Sequence, residues 1–311
     1  GLLTVLVVIG VGCFGTPQGE IAPDQFATFA DWCRHRDSLS RAPRHTVDKL
    51  LEEAGTQECN QAEGRLTHLT ELYLPNKQIV DVAPLASLTN LILLYLDANQ
   101  IVDVASLASL TNLISLHLDG NQIVDVSPFA SLTNLTVLAL HQNQITNIAP
   151  LASLTNLEWL FLNDNRIEDV SPLANLNQLT ELYLCSNRIE NKTALARLTK
   201  LTLCFNLIED VSPLAILTNL TRLYLNNNQI ADVASLARLT NLTQLYLWDN
   251  RIEDITPLSS LENLTRLSLD FNQIEDVSSL ASLTNLTELS LDGNPLEDRT
   301  CPVQPESICL F

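Results

Sequence analysis

Leucines recur along this chain in a fixed pattern, L-x-x-L-x-L-x-x-N-x-I-x-D-V-x-P-L-A-x-L-T-N, twenty-two positions long before it begins again. Counted from its first leucine, the unit starts at Leu69, Leu91, Leu113, Leu135, Leu157, Leu179, Leu198, Leu220, Leu242, Leu264 and Leu286. A period of this length marks one supersecondary unit that cannot bury its apolar side alone and does so by stacking on its neighbours. Within L-x-x-L-x-L the second and third leucines alternate as on a short strand with one buried face. About eleven such strands, paired in parallel at about 4.8 Å, predict a curved sheet on the order of 50 Å long. The return segment I-x-D-V-x-P-L is too short, and too often interrupted by proline, for a full α-helix. It predicts a 3₁₀ turn capped by the aspartate. Each unit then buries roughly six or seven aliphatic side chains at about 1.5–3 kcal/mol apiece.

Polar positions punctuate the pattern. An asparagine follows the strand in every unit except the first, from Asn99 and Asn121 through to Asn294; Lys77 takes its place in the first unit. Its amide can bind backbone groups of its own turn and the next, forming a ladder. The step from Leu179 to Leu198 is three residues short, and Asn191–Ala194 replaces the usual D-V-x-P, with Lys192 where other units place an apolar residue. Because Leu201, Leu203 and Asn206 keep their places, the deletion belongs to the back of the sixth unit and the sheet is expected to continue across it.

The stretch before the repeats follows a different pattern. Residues 1–20 include an apolar run, Leu2 to Val11, of signal-peptide length and too short to span a membrane. Cys13 after Gly12 offers a lipid-anchor site, the one membrane attachment this sequence suggests. Residues 21–65 read as a helical N-terminal cap, 66–295 as the repeats and 296–311 as a C-terminal cap. Asp24 is the expected N-cap of a first helix carrying Phe26, Phe29, Ala30 and Cys33. His45-Thr46 is the expected opening of a second, which ends at Gly55.

Cysteines cluster at the two ends. Cys33 and Cys59 lie in the first cap, Cys301 and Cys309 in the last, and each pair is expected to form a disulfide that clamps one end of the solenoid. Cys185 and Cys204 hold one strand offset in neighbouring units and stand side by side, either reduced or bonded. Such usage points to a secreted protein or one of the cell envelope or periplasm.

The outward strand positions form three columns. The middle column carries Tyr73, Tyr95, His117, Ala139, Phe161, Tyr183, Thr202, Tyr224, Tyr246, Ser268 and Ser290. Trp159, Arg222 and Arg266 lie in the column before it, Trp248 in the column after it. Exposed aromatics flanked by arginine supply much of the energy at interfaces, although tyrosine also stabilises strands simply by stacking. The candidate binding residues are therefore Tyr95, Trp159, Phe161, Tyr183, Arg222, Tyr224, Tyr246, Trp248 and Arg266.

The formal net charge of −19 argues against neutralising a nucleic-acid backbone. The acidic column on the return turns reads as caps on a solvated face, with calcium bridging the sharper alternative. His117, Asp119 and His141, with Asp97 beside them, have the side chains of a metal site or general base, but an open sheet gives no pocket to tune them. No catalytic residue, metal or cofactor is expected. The Asn-Leu-Thr triplets match a glycosylation pattern only because they belong to the repeat.

This twenty-two-residue unit resembles that of the internalin-type bacterial leucine-rich repeats. The cap FATFADWC and the ending GNPLEDRTCPVQPESIC are similar to secreted repeat proteins of cyanobacterial type. The resemblance implies a right-handed α/β solenoid with a concave parallel sheet and convex 3₁₀ turns. It implies a scaffold for protein recognition at or outside the cell surface. Apart from the resemblance, the chain is expected to be a monomer, and the basic stripe of Lys200, Arg222 and Arg266 on the concave side points to an acidic partner. Two alternatives stand beside this one: an intracellular adaptor of the phosphatase-regulatory type, which shares the unit length, and an envelope component that binds carbohydrate.

Overall fold

The computed structural model of the chain describes residues 26–189 and 198–311. Each L-x-x-L-x-L segment supplies a three-residue strand centred on its second leucine. These are β1 Glu71–Tyr73, β2 Leu93–Tyr95, β3 Ser115–His117, β4 Val137–Ala139, β5 Trp159–Phe161, β6 Glu181–Tyr183, β7 Lys200–Thr202, β8 Arg222–Tyr224, β9 Gln244–Tyr246, β10 Arg266–Ser268 and β11 Glu288–Ser290. They form one parallel sheet in sequence order, and the tail adds a twelfth strand, β12 Cys309–Leu310, against β11. The short step of nineteen residues leaves pairing undisturbed: Glu181, Leu182 and Tyr183 face Lys200, Leu201 and Thr202.

On the back of each complete unit the chain makes a 3₁₀ turn, as at Ser127–Ser131 and Ala149–Ser153. The aspartate caps it from one place earlier than an N-cap: Asp125 Oδ1 accepts the N–H of Ser127 at 2.8 Å, across the intervening Val126. Asn147 does the same for Ala149, so the capping needs an Asx oxygen and not a charge. The asparagine ladder also forms, but its direction differs from the expected one. Asn143 donates to the carbonyls of Leu118, Leu140 and His141 and accepts from Ile123 N–H, tying its turn to the preceding one. The amide thus points back along the solenoid, and the Leu118 carbonyl it reaches is shared with Asn121 of the preceding turn.

Three helices close the first end: α1 Phe29–Arg34, α2 Arg41–Ala54 and α3 Cys59–Leu66. The α1 N-cap is Thr28, in a reciprocal capping box with Asp31, and the cap expected at Asp24 falls outside the described residues. α2 begins after Ser40 and not at His45-Thr46, because Pro43 sits in the first turn, where a missing N–H breaks no helical bond. It does end at Gly55, with φ 63°. α3 escapes pattern reading because it buries only Ala62 and Leu66. Thr46 donates to the Asp81 carbonyl at 2.6 Å and His45 Nε2 lies 2.7 Å from the Lys77 carbonyl, seating α2 on the first turn.

One apolar core runs from Phe29 to Val303 through the stacked leucines. Three cysteine pairs stand at bonding distance, Cys33 with Cys59, Cys185 with Cys204 and Cys301 with Cys309. Among the described residues no helix is long and apolar enough to cross a membrane. The leader with Cys13 and the back of the sixth unit with Lys192 lie outside them.

Candidate binding face on the concave sheet

Strand alternation turns the neighbours of each buried leucine onto the concave side, and parallel register places equivalent residues of successive units next to each other. The aromatic column breaks into three groups. Tyr95 stacks on His117 at 4.5 Å and touches Tyr73 at 5.3 Å. Phe161 stacks on Tyr183 at 4.6 Å, with His141 edge-on to Phe161 at 5.3 Å. Tyr224 and Tyr246 lie nearly parallel, 7° apart, at 4.6 Å. Between the groups stand Ala139 and Thr202, both buried, so the column alternates ridges of paired rings with sockets one residue wide. Trp159 stands at the edge of the middle ridge with 45% of its surface exposed.

The basic residues are less uniform than their column suggests. Lys200 Nζ donates to the Tyr183 hydroxyl at 2.6 Å and lies 3.8 Å from the Glu181 carboxylate, while Tyr183 itself donates to Glu181 at 2.5 Å. Burial, and then the Glu181 carboxylate, push the Tyr183 hydroxyl well above the ordinary tyrosine range, so it remains a proton donor. Arg266 pairs with Glu288 at 3.4 Å. Arg222 makes no ion pair among the described residues, leaving it the basic group of this column best placed to meet a partner.

From β3 to β6 a second chain of polar contacts runs just past the strand ends. Asp119 accepts the His141 N–H at 2.6 Å, His141 Nδ1 accepts the Asn163 N–H at 3.1 Å, and Asn163 accepts the Cys185 N–H at 2.8 Å. Accepting at Nδ1 fixes His141 as the neutral tautomer protonated at Nε2. Burial lowers the pKa of both His141 and His117, against the pull of Asp164 and Asp97 respectively. Burial pushes the Asp119 carboxyl up to about 7; the His141 N–H opposes the shift and the Asp97 carboxylate adds to it.

Of the nine residues singled out from the sequence, Trp159, Phe161 and Tyr183 come together, as do Arg222, Tyr224 and Tyr246, while Tyr95 joins His117. Trp248 leans away toward Phe205, edge-on at 6.1 Å. Phe205 and Phe271, which column reading passed over, are half-exposed aromatics in the left-handed backbone region, with φ 53° and 52°. The signal was present: both sit just before the ladder asparagine, where the other units place small or polar residues.

Family models described as leucine-rich repeats in two copies match residues 111–153, 155–197, 196–238, 218–263, 240–282 and 262–299. Among solved structures, an internalin of Listeria monocytogenes is similar at 29% identity, over 82% of this chain and 90% of that one, with a TM-score of 0.61. A leucine-rich-repeat protein of Leptospira interrogans is similar at 25% identity, over 76% of this chain and 70% of that one, with a TM-score of 0.67. A TDR receptor shares the fold at 22% identity, over 81% of this chain and 46% of its own, with a TM-score of 0.68. No curated protein matches the chain in sequence.

Proposed function

The chain belongs to the leucine-rich-repeat family, with units of the internalin type, and from that premise we propose that it is a non-enzymatic scaffold that binds a protein partner through its concave aromatic face. The observation that carries this reading is the alternation of ring ridges with the Ala139 and Thr202 sockets, beside an exposed Trp159. Such relief suits a partner whose own side chains enter sockets between rigid aromatic walls. It suits carbohydrate less well, because the ring faces of Tyr224 and Tyr246 are turned against each other and not toward solvent. An open sheet also lacks the water-excluding pocket that catalysis needs.

Three cysteine pairs at bonding distance support an oxidising compartment, outside the cytoplasm, over an intracellular adaptor. Arg222 supports a partner that offers a carboxylate to the concave side. The test uses a partner recovered from native extract and compares its affinity for the wild type, a Trp159→Ala/Trp248→Ala variant and a convex Asp103→Asn/Asp232→Asn variant. The concave variant should lose at least roughly thirty-fold in affinity, about 2 kcal/mol, and the convex one should bind as wild type. The opposite ranking would place the interface on the back.

A further inference from the structure

Parallel register does more at β2 and β3 than stack Tyr95 on His117: it also brings together Asp97 and Asp119, each two residues past the end of its strand. One ligand-capable atom from each of Asp97, His117 and Asp119 lies within 4.8 Å of the others, and all three side chains are half-buried. We propose that these three residues bind a first-row divalent metal ion of the zinc type. The site shares the Tyr95–His117 ridge with the proposed binding face, but metal uptake is tested without any partner.

The electrostatics of the pair ask for a cation. Two carboxylates share a half-buried position, and among the described residues no lysine or arginine forms an ion pair with either. Like charges so placed repel unless a proton or a metal ion stands between them. The same register positions recur at β10 and β11 as Asp270 and Asp292, and there the chain solves the problem differently. Asp270 accepts from the Ser268 hydroxyl at 2.8 Å, the Ser290 hydroxyl at 2.5 Å and the Asp292 N–H at 2.9 Å. Ser268 and Ser290 occupy the column positions that Tyr95 and His117 hold at the other end. Where β10 and β11 offer hydroxyl donors, β2 and β3 offer an aromatic ring and an imidazole.

The imidazole is also held for the task. It stacks on the Tyr95 ring at 4.5 Å and is met at Nε2 by the Ser115 hydroxyl at 2.9 Å, which limits its rotation. Asp119 is anchored through Oδ1 on the His141 N–H at 2.6 Å, which leaves its second oxygen for a ligand. Oriented ligands of this kind favour metal binding. A tetrahedral ion with bonds of about 2.0–2.2 Å sets its ligand atoms about 3.4 Å apart, a closure that small carboxylate rotations supply. One imidazole with two carboxylates suits zinc and its first-row neighbours better than calcium, which takes oxygen ligands in larger number. Three protein ligands leave a coordination position open to solvent on the concave side.

Zinc chloride titrated calorimetrically into chelator-stripped protein tests the site, with cobalt absorption as a second readout of the ligand set. The wild type should take up one equivalent with the Asp97–His117–Asp119 signature. His117→Phe, which keeps a ring against Tyr95, and Asp97→Asn should each weaken that binding at least about tenfold, while Asp270→Asn leaves it unchanged. Absence of zinc binding in the wild type, or binding that neither His117→Phe nor Asp97→Asn weakens, overturns the proposal. Circular dichroism of each variant separates lost ligands from lost fold.

Discussion

Phe205 and Phe271 carry the clearest cost at a single residue. Left-handed backbone crowds a β-carbon against the next carbonyl, by about 1–2 kcal/mol for an ordinary side chain, and a bulky aromatic is among the least suited to it. A Cβ on Gly293 would meet the Phe271 ring at 2.5 Å, so that ring has been given room by its neighbour's glycine. Strain of this sort persists where display of the side chain matters. Phe205→Asn, at a ring half-exposed and touching Trp248 only edge-on, should therefore raise stability by about 0.5–1 kcal/mol while weakening partner binding. Urea denaturation and affinity measured together check this; a clear fall in stability would make the ring a packing residue. Trp159→Ala should alter association little and speed dissociation. Arg222→Glu should slow association in a salt-dependent way and more than Arg266→Glu does, because Glu288 already offsets Arg266. Stopped-flow measurements at two salt concentrations separate the two arginines; equal effects would mean that the Glu288 pair does not form in solution.

At the level of the element, the return turn is the unit's most repeated device. The serine N–H and then its hydroxyl hold the carboxyls of Asp125, Asp169 and Asp276 below the usual aspartate value, as the Thr256 hydroxyl and N–H do for Asp254. A carboxyl whose folded pKa is depressed contributes stability above its unfolded pKa and loses it as pH falls through the folded value. Thermal stability should therefore decline below about pH 4. Replacing the four aspartates by asparagine, the residue nature uses at Asn147, should flatten that decline while leaving neutral-pH stability nearly unchanged. Superimposable acid profiles of variant and wild type would rule the turns out as its source. Asn143→Ala, by contrast, strands several buried backbone groups and should cost about 3 kcal/mol or more at any pH, read from chemical denaturation. The strands, the turns and the ladder were legible because each repeats the same physical problem many times. The cap was legible only in part: α1 and the Gly55 end of α2 follow the apolar pattern, but α3 has two buried residues and a cysteine to hold it, and the α2 start lies before a proline that reads as a breaker. The outward columns were legible from period-two alternation. The pairing of Lys200 with Glu181 and of Arg266 with Glu288 was not, because it depends on side-chain reach between neighbouring units and not on the pattern within one.

Over the whole molecule, stability is the sum of neighbour contacts along one axis, so the ends are where it opens first. Two of the three cysteine pairs lie there: Cys33 and Cys59 close a separation of 26 residues between α1 and α3, and Cys301 and Cys309 close one of 8 that carries β12 to the sheet. Bonds closing loops of these lengths contribute about 3.5 and about 2.5 kcal/mol in the chain-entropy account. Reduction should raise hydrogen exchange first in the cap helices and around β12, with the strands β3 to β5 protected; uniform exchange along the arc would contradict a stack held from its ends. The front of the molecule, meanwhile, does not sense the length of its back, since β6 and β7 keep register over nineteen residues where the other repeat strands are twenty-two apart. Duplication or loss of a unit between the caps would thus extend or shorten the concave face by one strand without any new packing to solve. A lineage with such a chain can adjust the spacing between its ring ridges by copying whole units, changing the span it measures before it changes a single side chain.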